Sequence, residues 1–530
     1  MEASNPTRSP ARFDPALPGS RARLERRYLG YIALGALAAS LLLIVVIVIP
    51  VSYQSRDTLI ATGFLGVLIV AVAAFRFSQT GGDSLDPLFL ISLVFLFYFV
   101  LHGIWAVFNE HWLSASIPAP YADHLVSAAI VLAIAFLSLV AGHYAMPLRP
   151  RPGVRTSIFG AVDRTPRSLL IGLFVLGMLF NGAAAAAGGY AKTTIDVYNT
   201  GGNVLLLKTF GYCGYVAYVI ALCQAFIMPP GPGRRSARIL ALGIMLPAQV
   251  AVAFAVGAKQ EIVFAVLPLL VVRNYLVSPL RARTLLATAL AFTFIVSPVI
   301  QASREGPGAV VSGNNEFASG LDSIANTLVT VPKRLEVLTQ PVKLLDGYNV
   351  INRRTNGIES MALALRYTPY PNPYQRGKSF AAVPLSLIPR FIWPDKPLYS
   401  VGKYFSVSYA GQSATQGRGY GLTVSPTYPA DLYVNFGLFG VIIGCLLMGM
   451  VLRAVSVFMH TRRQGRALPI IVYLVVIIPA MLVEQDVATG LNAIMLRLIV
   501  SFAFVYGLSL VVRRMSKGSA AANAPTAAGA

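Results

Sequence analysis

The sequence predicts an all-α, polytopic membrane protein, and three observations lead to that prediction. Hydrophobic residues make up 56% of the chain and charged residues only 12%, whereas a soluble domain typically carries about 25% charge. The apolar residues are gathered into runs of roughly 20, the length at which a helix crosses a hydrocarbon core of about 30 Å. Lysine and arginine are concentrated in alternate connections between these runs, as expected where cytoplasmic loops are basic.

Twelve runs of the sequence are predicted to span a membrane as helices. In chain order they comprise residues 29–49, 58–75, 87–108, 125–146, 168–187, 204–228, 239–256, 262–277, 285–299, 432–452, 468–483 and 491–512. The eighth and ninth runs are short, and Pro268 and Pro298 are expected to tilt or kink them. The first run is too long for the core of a signal peptide and lacks a small-residue cleavage site behind it, so we interpret it as a retained helix.

The chain divides into five parts by composition. Residues 1–28 form a basic N-terminal segment and residues 513–530 a tail of mostly small residues, and both are predicted to be disordered. Residues 29–300 hold the first nine predicted helices, and residues 431–512 hold the last three. Residues 301–430, between helices nine and ten, form a long hydrophilic segment that we call the large loop.

The large loop is predicted to be partly helical, because a structureless connection of this length would be unusual. Apolar residues recur at helical spacing in residues 324–345 and 358–367. Residues 379–397 contain four prolines, which predicts irregular turns in that part of the loop.

Lysine and arginine in the short connections indicate the orientation of the helices. With a cytoplasmic N-terminus, the cytoplasmic side receives the basic clusters at residues 21–27, 149–167, 234–238, 281–283, 453–466 and 513–517. The short outer turns keep only Arg56, Lys192 and Lys259. This asymmetry predicts that both termini are cytoplasmic and that the large loop is extracytoplasmic.

The net charge of +22 raises the question of a nucleic-acid partner. The charges form short clusters between apolar runs and not a basic face with interleaved aromatic residues, so we expect no nucleic-acid binding. Such clusters are typical of loops that contact anionic membrane lipids. Cys213, Cys223 and Cys445 all lie inside apolar runs, which predicts neither a disulfide framework nor a metal cluster.

The large loop is basic, with thirteen lysine and arginine residues against seven acidic ones. Long loops are exempt from the charge rule that orients short ones, so the excess suggests an anionic ligand. Aromatic residues accompany the charges: Tyr348, Tyr367, Tyr370, Tyr374, Phe391, Trp393, Tyr399, Tyr404 and Tyr420. Aromatic rings stack on sugar faces and guanidinium groups bind phosphate, so the pattern favours a phosphorylated sugar. The alternative is that these rings pack the loop and anchor it at the headgroup level.

Two segments resemble one known family. Residues 388–397 read Ile-Pro-Arg-Phe-Ile-Trp-Pro-Asp-Lys-Pro and resemble the IPR…WP.KP segment of bacterial oligosaccharide repeat-unit polymerases, the O-antigen (Wzy-type) polymerases. Residues 431–440 read Asp-Leu-Tyr-Val-Asn-Phe-Gly-Leu-Phe-Gly and resemble that family's second signature, in which an acidic residue precedes Y.NFG..G. The family usually has Glu where this chain has Asp431. Twelve helices with one large outer loop late in the sequence also resemble the family.

The resemblance implies a membrane glycosyltransferase of GT-C-like architecture in the bacterial inner membrane, with its active site facing the periplasm. Such enzymes polymerise undecaprenyl-pyrophosphate-linked oligosaccharide repeat units into O-antigen, capsule or exopolysaccharide of the cell envelope, without a metal or another cofactor. The implied partners are the lipid-linked donor and acceptor and membrane lipids, with a chain-length regulator and a flippase as further candidates.

The implied reaction needs groups that neutralise the leaving pyrophosphate and a base that removes a hydroxyl proton. Arg304, beyond helix nine, and Arg390, in the first signature, are candidates for neutralising the pyrophosphate leaving group. Asp431, Glu359 and Glu261 are the candidate bases for the proton of the attacking hydroxyl group, and they are not ranked. Asp431 could instead be a helix cap or the partner of an arginine.

Substrate-binding candidates combine cations and rings near the predicted outer surface. They are Lys259, Lys396, Trp393, Tyr367 and Tyr433. Lys259 and Arg304 could equally be ordinary residues that snorkel at a helix end, and Arg390 could form a structural pair with Asp395 or Glu359.

Ionisable residues inside predicted spans are further candidates. Arg497 is expected to form a structural ion pair with a partner such as Glu484, and Lys208 is a second intramembrane cation. His102 and His143 are interpreted as core histidines, and the sequence offers no metal-ligand spacing.

Two other functions stay open. A ligase that transfers finished glycan from the same lipid resembles this layout, but such ligases typically carry an essential histidine in the large loop, and residues 301–430 contain none. A flippase or transporter for lipid-linked oligosaccharides would not need a large folded loop. A sensor or assembly scaffold explains the basic, aromatic loop least well.

Overall fold

The fold is described from a computed structural model of the 530-residue chain. The structure describes residues 53–108, 123–148, 159–186, 202–256, 259–296, 357–388, 393, 401–409, 425–461, 466–483 and 485–522. The predicted first helix and the predicted helical segment 324–345 lie outside these residues.

The described residues form fourteen helices, which we number in chain order, and one separate 3-10 helix, Phe159–Arg164. Helices α1 to α5 are Tyr53–Gln79, the composite of Pro87–Phe95, Leu96–Leu101 and His102–Phe108, then Leu125–Ala145, Arg167–Ala186 and Gly202–Ile227. Helices α6 to α9 are the composite of Pro232–Arg238, Ile239–Met245 and Leu246–Val256, then Lys259–Leu276, the composite of Ala282–Ala291 and Phe292–Val296, and Gly357–Tyr367. Helices α10 to α14 are Ala382–Leu387, Val401–Ser408, Tyr428–Thr461, Ala467–Met481 and Val487–Ala522.

Eight of the described helices are long and apolar enough to cross a membrane, which confirms a polytopic, all-helical membrane protein. The eight candidate spans are Arg56–Gln79, Pro87–Trp105, Leu125–Ala145, Arg167–Ala184, Leu206–Ile227, Pro232–Ala253, Tyr428–Met459 and Val487–Ser516. Helices α8 and α13 are apolar but shorter, and α7 carries three charged residues in 18. Eleven of the twelve predicted runs overlap described helices; the total number of spans and their direction stay predictions.

Polar groups fix the N-terminus of helix α2 at Pro87. Asp86 caps the helix by accepting the backbone N–H groups of Leu88 and Phe89 at 3.1 and 3.3 Å, and Pro87 follows at the first helical position, where no N–H is needed. Arg76, near the end of α1, binds the same carboxylate through two bonds of 2.8 and 2.7 Å. The pair is buried and joins two successive helices.

Glycine allows the closest helix crossings. A Cβ atom added at Gly142 of α3 would lie 1.9 Å from the carbonyl oxygen of Leu446 in α12, and one added at Gly449 would lie 1.9 Å from the carbonyl oxygen of Leu139. A Cβ atom at Gly177 of α4 would lie 2.4 Å from the backbone nitrogen of Gly214 in α5. Small residues let membrane helices approach until backbone meets backbone, so these helices pack in direct contact.

Helix α13 lies at the centre of the bundle. Thirteen of its fifteen residues, from Ala467 to Ala480, are buried on all sides of the helix, as expected for a helix that is apolar all round. The hydroxyl group of Tyr473 donates to the carbonyl oxygen of Leu85, which also accepts from Tyr275 at 3.1 Å. These bonds connect α13 to α7 and to the start of α2.

The described part of the large loop is helical where helical spacing predicts it. Helix α9, Gly357–Tyr367, confirms the prediction for residues 358–367. The prediction of irregular turns in residues 379–397 is wrong in part, because Ala382–Leu387 forms the short helix α10. Pro384 is the third residue of α10, and a proline in the first turn removes no intrahelical hydrogen bond.

Candidate functional site

Helix α12 is broken close to its start, and the break organises the candidate site. Gly437 has φ 64° and ψ −156° inside the helix, a conformation that is essentially restricted to glycine. The carbonyl groups of Val434 and Asn435 accept the backbone N–H groups of Gln375 and Arg376, both at 3.0 Å. The large loop is therefore bonded to the opened turn of a membrane-spanning helix.

Asn435 fastens the same loop segment by its side chain. Its amide nitrogen donates to Ser379 at 2.7 Å and to the Asp431 carboxylate at 3.0 Å, and its amide oxygen accepts the backbone N–H of Gly377 at 3.0 Å. Asn435 is fully buried, so each of these bonds avoids an unpaired polar group in the interior. The result is a rigid support for residues 375–379, which we call the clamped segment.

Asp431 lies in the first turn of α12, where its carboxylate is buried and bonded on both oxygens. One oxygen accepts from Asn435, and the other accepts the backbone N–H of Val487, the first residue of α14, at 2.9 Å. Asp486 lies nearby and caps α14 by accepting from Thr489 at 2.8 and 2.9 Å. Burial raises the pKa of Asp486, and the hydrogen bonds from Thr489 oppose that rise. We call this region, where α12 and α14 begin, the Asp431 end of the bundle.

Glu359 of the large loop forms a buried pair with His102 of α2. The carboxylate oxygen Oε1 lies 2.7 Å from the ring nitrogen Nε2, and the two side chains are 6% and 2% exposed. Ser360, the next residue, accepts the backbone N–H of Thr427 at 3.1 Å. Helix α9 is thus bonded both to α2 and to the residue that precedes α12.

A π-helical stretch precedes His102 in the chain. Residues Leu96–Leu101 form this wider turn, and the α-helix resumes at His102. Such insertions are common at functional sites, because they rotate the following residues relative to a regular helix. Gly357, at the start of α9, approaches Phe99 of this stretch so closely that an added Cβ atom would lie 2.6 Å from the ring.

Cations and aromatic rings are exposed together on the clamped segment and beside it. Arg376 and Lys378 are exposed, and neither forms an ion pair with a residue that the structure describes. Tyr370 is 86% exposed, and Tyr374 stacks edge-on with Tyr433, with ring centroids 6.3 Å apart. Residues 366–381 contain no acidic residue, so this surface is positively charged.

The structure describes five of the nine predicted site residues with their side chains. Asp431 and Glu359 are buried and bonded as above, and their catalytic assignment stays a prediction. Tyr367 packs edge-on against Tyr409 at 6.2 Å, Tyr433 packs against Tyr374, and Trp393 is 38% exposed.

The other four predicted site residues are not described in that detail. Lys259 is the first residue of α7, but its side chain is outside the described part. Arg304, Arg390 and Lys396 lie wholly outside the described residues. Their predicted roles, and the alternative pairing of Arg390 with Asp395, are therefore untested. The described partner of Glu359 is His102.

Arg497, a charged residue inside a candidate membrane span, lies deeper in its helix than the sequence predicted. Arg497 lies ten residues after the start of α14, nearly three helical turns, because the helix begins at Val487 and not at residue 491. Its guanidinium carbon lies 4.5 Å from the ring centroid of Phe264. The predicted partner Glu484 lies outside the described residues. His143 is fully buried, and no described residue is a hydrogen-bond partner of its ring nitrogens.

Sequence reasoning missed Asn435, Arg376 and Lys378 as individual site residues. Asn435 stood inside the second signature, but its role depends on residues about 58 positions away. Arg376 and Lys378 were only counted in the charge of the loop; the signal that could have identified them is a Gly between two cations after a proline-rich turn. Within the described residues, no three His, Cys, Asp or Glu side chains are grouped as a metal site.

No family model, curated protein or solved structure matches this chain. The fold and the site together define a multi-pass membrane protein in which a loop segment with exposed cations and rings is fastened to a broken helix.

Proposed function

We propose that this protein polymerises undecaprenyl-pyrophosphate-linked oligosaccharide repeat units at the periplasmic face of the bacterial inner membrane. The observation that carries the proposal is the clamped segment, which four hydrogen bonds fasten to the broken helix α12. It holds Arg376 and Lys378 exposed beside Tyr370 and Tyr374. Residues 431–440, at the start of the helix to which it is fastened, resemble the second signature of the polymerase family.

The proposed reaction is a glycosyl transfer. A hydroxyl oxygen of the acceptor sugar forms a bond to the anomeric carbon of the donor, and the bond from that carbon to the pyrophosphate oxygen breaks. The electron pair leaves with the pyrophosphate, and the proton of the hydroxyl group passes to a base. Negative charge therefore develops on the leaving group, and fixed cations near it lower the barrier.

Arg376 and Lys378 have the chemistry that this step needs. The guanidinium group of Arg376 is always charged and binds phosphate through two parallel bonds. A hydrogen bond to a charged group contributes about 1.5–3 kcal/mol, so two such residues could supply a large part of the leaving-group stabilisation. Arg304, Arg390, Lys259 and Lys396 keep in this proposal the roles that the sequence predicts for them, neutralising or binding the lipid pyrophosphate.

Five aromatic residues supply the rings of the proposed sugar subsites: Tyr367, Tyr370, Tyr374, Tyr433 and Trp393. Tyr370 and Trp393 are the more exposed members of this set, so their faces are available for stacking on a pyranose. Tyr374 and Tyr433 pack against each other, which holds the exposed ring of Tyr374 in one orientation.

Asp431 acts in this proposal as a positioning residue. Its carboxylate oxygens are occupied by Asn435 and Val487, so it holds α12, α14 and the clamped segment in register. Glu359 holds the loop to α2 through His102. Either carboxylate would have to give up its present bonds in order to accept the proton of the sugar hydroxyl group.

A glycan ligase is the second candidate, and one observation bears on it. The large loop contains no histidine, but His102 contacts it from α2 through Glu359. A ligase of this design would use that histidine as a base. The 2% exposure of His102 keeps it from a substrate in the described conformation, which favours the polymerase.

Surface glycan analysed by gel electrophoresis tests the proposal. A strain that lacks the gene should display single capped repeat units; loss of a flippase would leave none, and loss of a ligase would leave polymer on the lipid carrier. In the complemented strain, the double variant Arg376→Gln/Lys378→Gln should lose long glycan while the protein level stays normal. Arg235→Gln, an exposed arginine at the start of α6, is the matched control and should restore the full ladder.

Each result decides between the alternatives. A normal ladder from Arg376→Gln/Lys378→Gln would exclude the clamped segment from the site. Arg390→Ala, in the first signature, should also remain in the membrane and leave single units. Glycan-free cells after deletion would overturn the polymerase in favour of the flippase.

A further inference from the structure

Helices α5, α7 and α14 enclose a second polar cluster, separate from the clamped segment. Its members are Lys208, Tyr212 and Tyr215 of α5, Glu261 of α7, and Arg497 and Ser501 of α14. Lys208 and Arg497 lie inside candidate membrane spans. Ionisable groups at such positions are expensive to bury, so they call for an explanation.

Four hydrogen-bond donors of this cluster are buried without a partner among the described residues. They are the hydroxyl groups of Tyr212, Tyr215 and Ser501 and the Nη1 group of Arg497. Tyr215 is 6% exposed and Ser501 is 0% exposed, so water outside the bundle does not serve them. Buried polar groups are almost always paired in folded proteins, so four unpaired donors in one place favour a ligand that accepts hydrogen bonds.

The residues that carry these donors lie close together in the bundle. The ring centroids of Tyr212 and Tyr215 are 5.0 Å apart, and Tyr215 meets Phe264 edge-on at 5.8 Å. The guanidinium carbon of Arg497 lies 4.5 Å from the centroid of the same Phe264 ring. Tyr212 faces Ser501, but the two hydroxyl groups do not meet with the geometry of a hydrogen bond.

The charge of the cluster restricts the ligands that it can bind. Lys208 and Arg497 are cations, and Glu261 lies within electrostatic reach of both. Among the described members of the cluster, two positive groups face one carboxylate, which gives these members a formal charge of +1. A ligand that suits this cluster therefore accepts several hydrogen bonds and carries about one negative charge. A phosphodiester has both properties, whereas a pyrophosphate carries more charge than the cluster balances.

We propose that this cluster is a binding site for a monoanionic phosphate group. Lys208, Tyr212 and Arg497 are half-exposed at the bundle surface, which gives the phosphate a way in. Lysine and arginine bind phosphate oxygens through charge-assisted hydrogen bonds, and tyrosine and serine hydroxyl groups can donate to the same oxygens. The same chemistry would bind a free phosphate ion, so the source of the group is decided by experiment.

Tyr215→Phe is the central test, because it removes one unpaired hydroxyl group and little else. Without ligand, this variant should melt at the temperature of the wild-type protein or above it, since an unpaired buried group is lost. With ligand, its affinity should fall on the order of tenfold, because one hydrogen bond to the phosphate is lost. Arg497→Gln should reduce affinity further.

Tyr218→Phe is the matched control on the same helix. The hydroxyl group of Tyr218 already donates to the carbonyl oxygen of Ala265 at 2.9 Å. Its removal should lower the melting temperature without ligand and leave phosphate affinity unchanged. The two variants should therefore behave in opposite ways. Tyr215→Phe should lose phosphate affinity without losing stability, and Tyr218→Phe should lose stability without losing phosphate affinity.

The measurement uses full-length protein in detergent and follows melting temperature against concentration of phosphatidylglycerol, diacylglycerol or inorganic phosphate. Stabilisation by phosphatidylglycerol alone assigns a lipid head group, and stabilisation by phosphate as well assigns a free anion site. Equal stabilisation by diacylglycerol, or equal affinity of wild type and Tyr215→Phe, would overturn the proposal. So would a loss of stability in ligand-free Tyr215→Phe that matches Tyr218→Phe. None of these readouts depends on glycosyl transfer.

Discussion

The carboxylate of Asp431 accepts the backbone N–H of Val487 at 2.9 Å and thereby joins the first turn of α12 to the first residue of α14. The same carboxylate accepts from Asn435, which bonds the clamped segment of the large loop. One buried side chain thus connects two membrane-spanning helices with the surface that we propose binds substrate. Its replacement tests structure and function together.

Asp431→Ala should destabilise the protein and shorten its glycan product. The change leaves the Val487 N–H without its acceptor and removes one bond of Asn435, and each buried group left unpaired costs about 1–3 kcal/mol. Thermal unfolding in detergent and the glycan ladder measure the two effects. Asp57→Ala, at the start of α1, is the control and should change neither. Wild-type stability of Asp431→Ala would contradict the positioning role.

Gly437→Ala should close the break in α12 or strain it. The φ of 64° disfavours any side chain, and a Cβ atom would lie 3.1 Å from the hydroxyl oxygen of Tyr374, so we expect a loss of about 1–3 kcal/mol. Gly507→Ala in α14 is the matched control, since its Cβ atom would meet nothing within 4 Å. Unfolding curves of the two variants give the comparison; equal stability would show that the break is dispensable.

His102 and Glu359 should show strong energetic coupling in a double-mutant cycle. Each single variant, His102→Gln or Glu359→Gln, disturbs a buried pair joined at 2.7 Å, and contacting residues typically couple by about 0.5–3 kcal/mol. Because the pair anchors α9, loss of either partner should also shorten the glycan. Additive effects on unfolding would mean that the two side chains act independently.

The ionised carboxylate of Asp86 should stabilise the protein, and this contribution should be lost at acid pH. Burial by itself would raise the pKa of Asp86, but the hydrogen bonds and charge of Arg76 outweigh it and hold the pKa below its ordinary value. A carboxylate with a lowered pKa stabilises the fold above its unfolded pKa of about 3.9 and loses that contribution as pH falls through the folded value. The difference in melting temperature between wild type and Asp86→Asn should therefore shrink below about pH 4.

This prediction is measured by recording the melting temperature of both proteins from neutral to acid pH. At neutral pH, Asp86→Asn leaves the buried guanidinium group of Arg76 without its counter-ion, a change that typically costs about 3–5 kcal/mol. A difference between the two proteins that stays constant down to pH 3 would rule out the linkage.

Hydropathy predicted the helices well because it depends on local composition. The run 87–108 coincides with composite helix α2, and residues 358–367, predicted from helical spacing, coincide with α9. The break in α12 was not predicted, because residues 432–452 are apolar enough on average to form one span despite Asn435. A helix can open at Gly437 only where other groups take its free carbonyl groups, and Gln375 and Arg376 do so from a distant part of the chain.

The sequence by itself determined the class of the protein and the position of most of its helices. A run of about 20 apolar residues is driven into a membrane by its own side chains, so no information about neighbours is needed. It also marked Asp431 and Glu359, but not what they bind.

Only the tertiary structure decided which polar groups meet. Asp431 binds Val487 across 56 positions, and Glu359 binds His102 across 257. Buried polar groups must find partners wherever the fold brings them, and that choice depends on how helices pack. The packing depends in turn on backbone contacts such as Gly142 against Leu446, which neither hydropathy nor charge reveals.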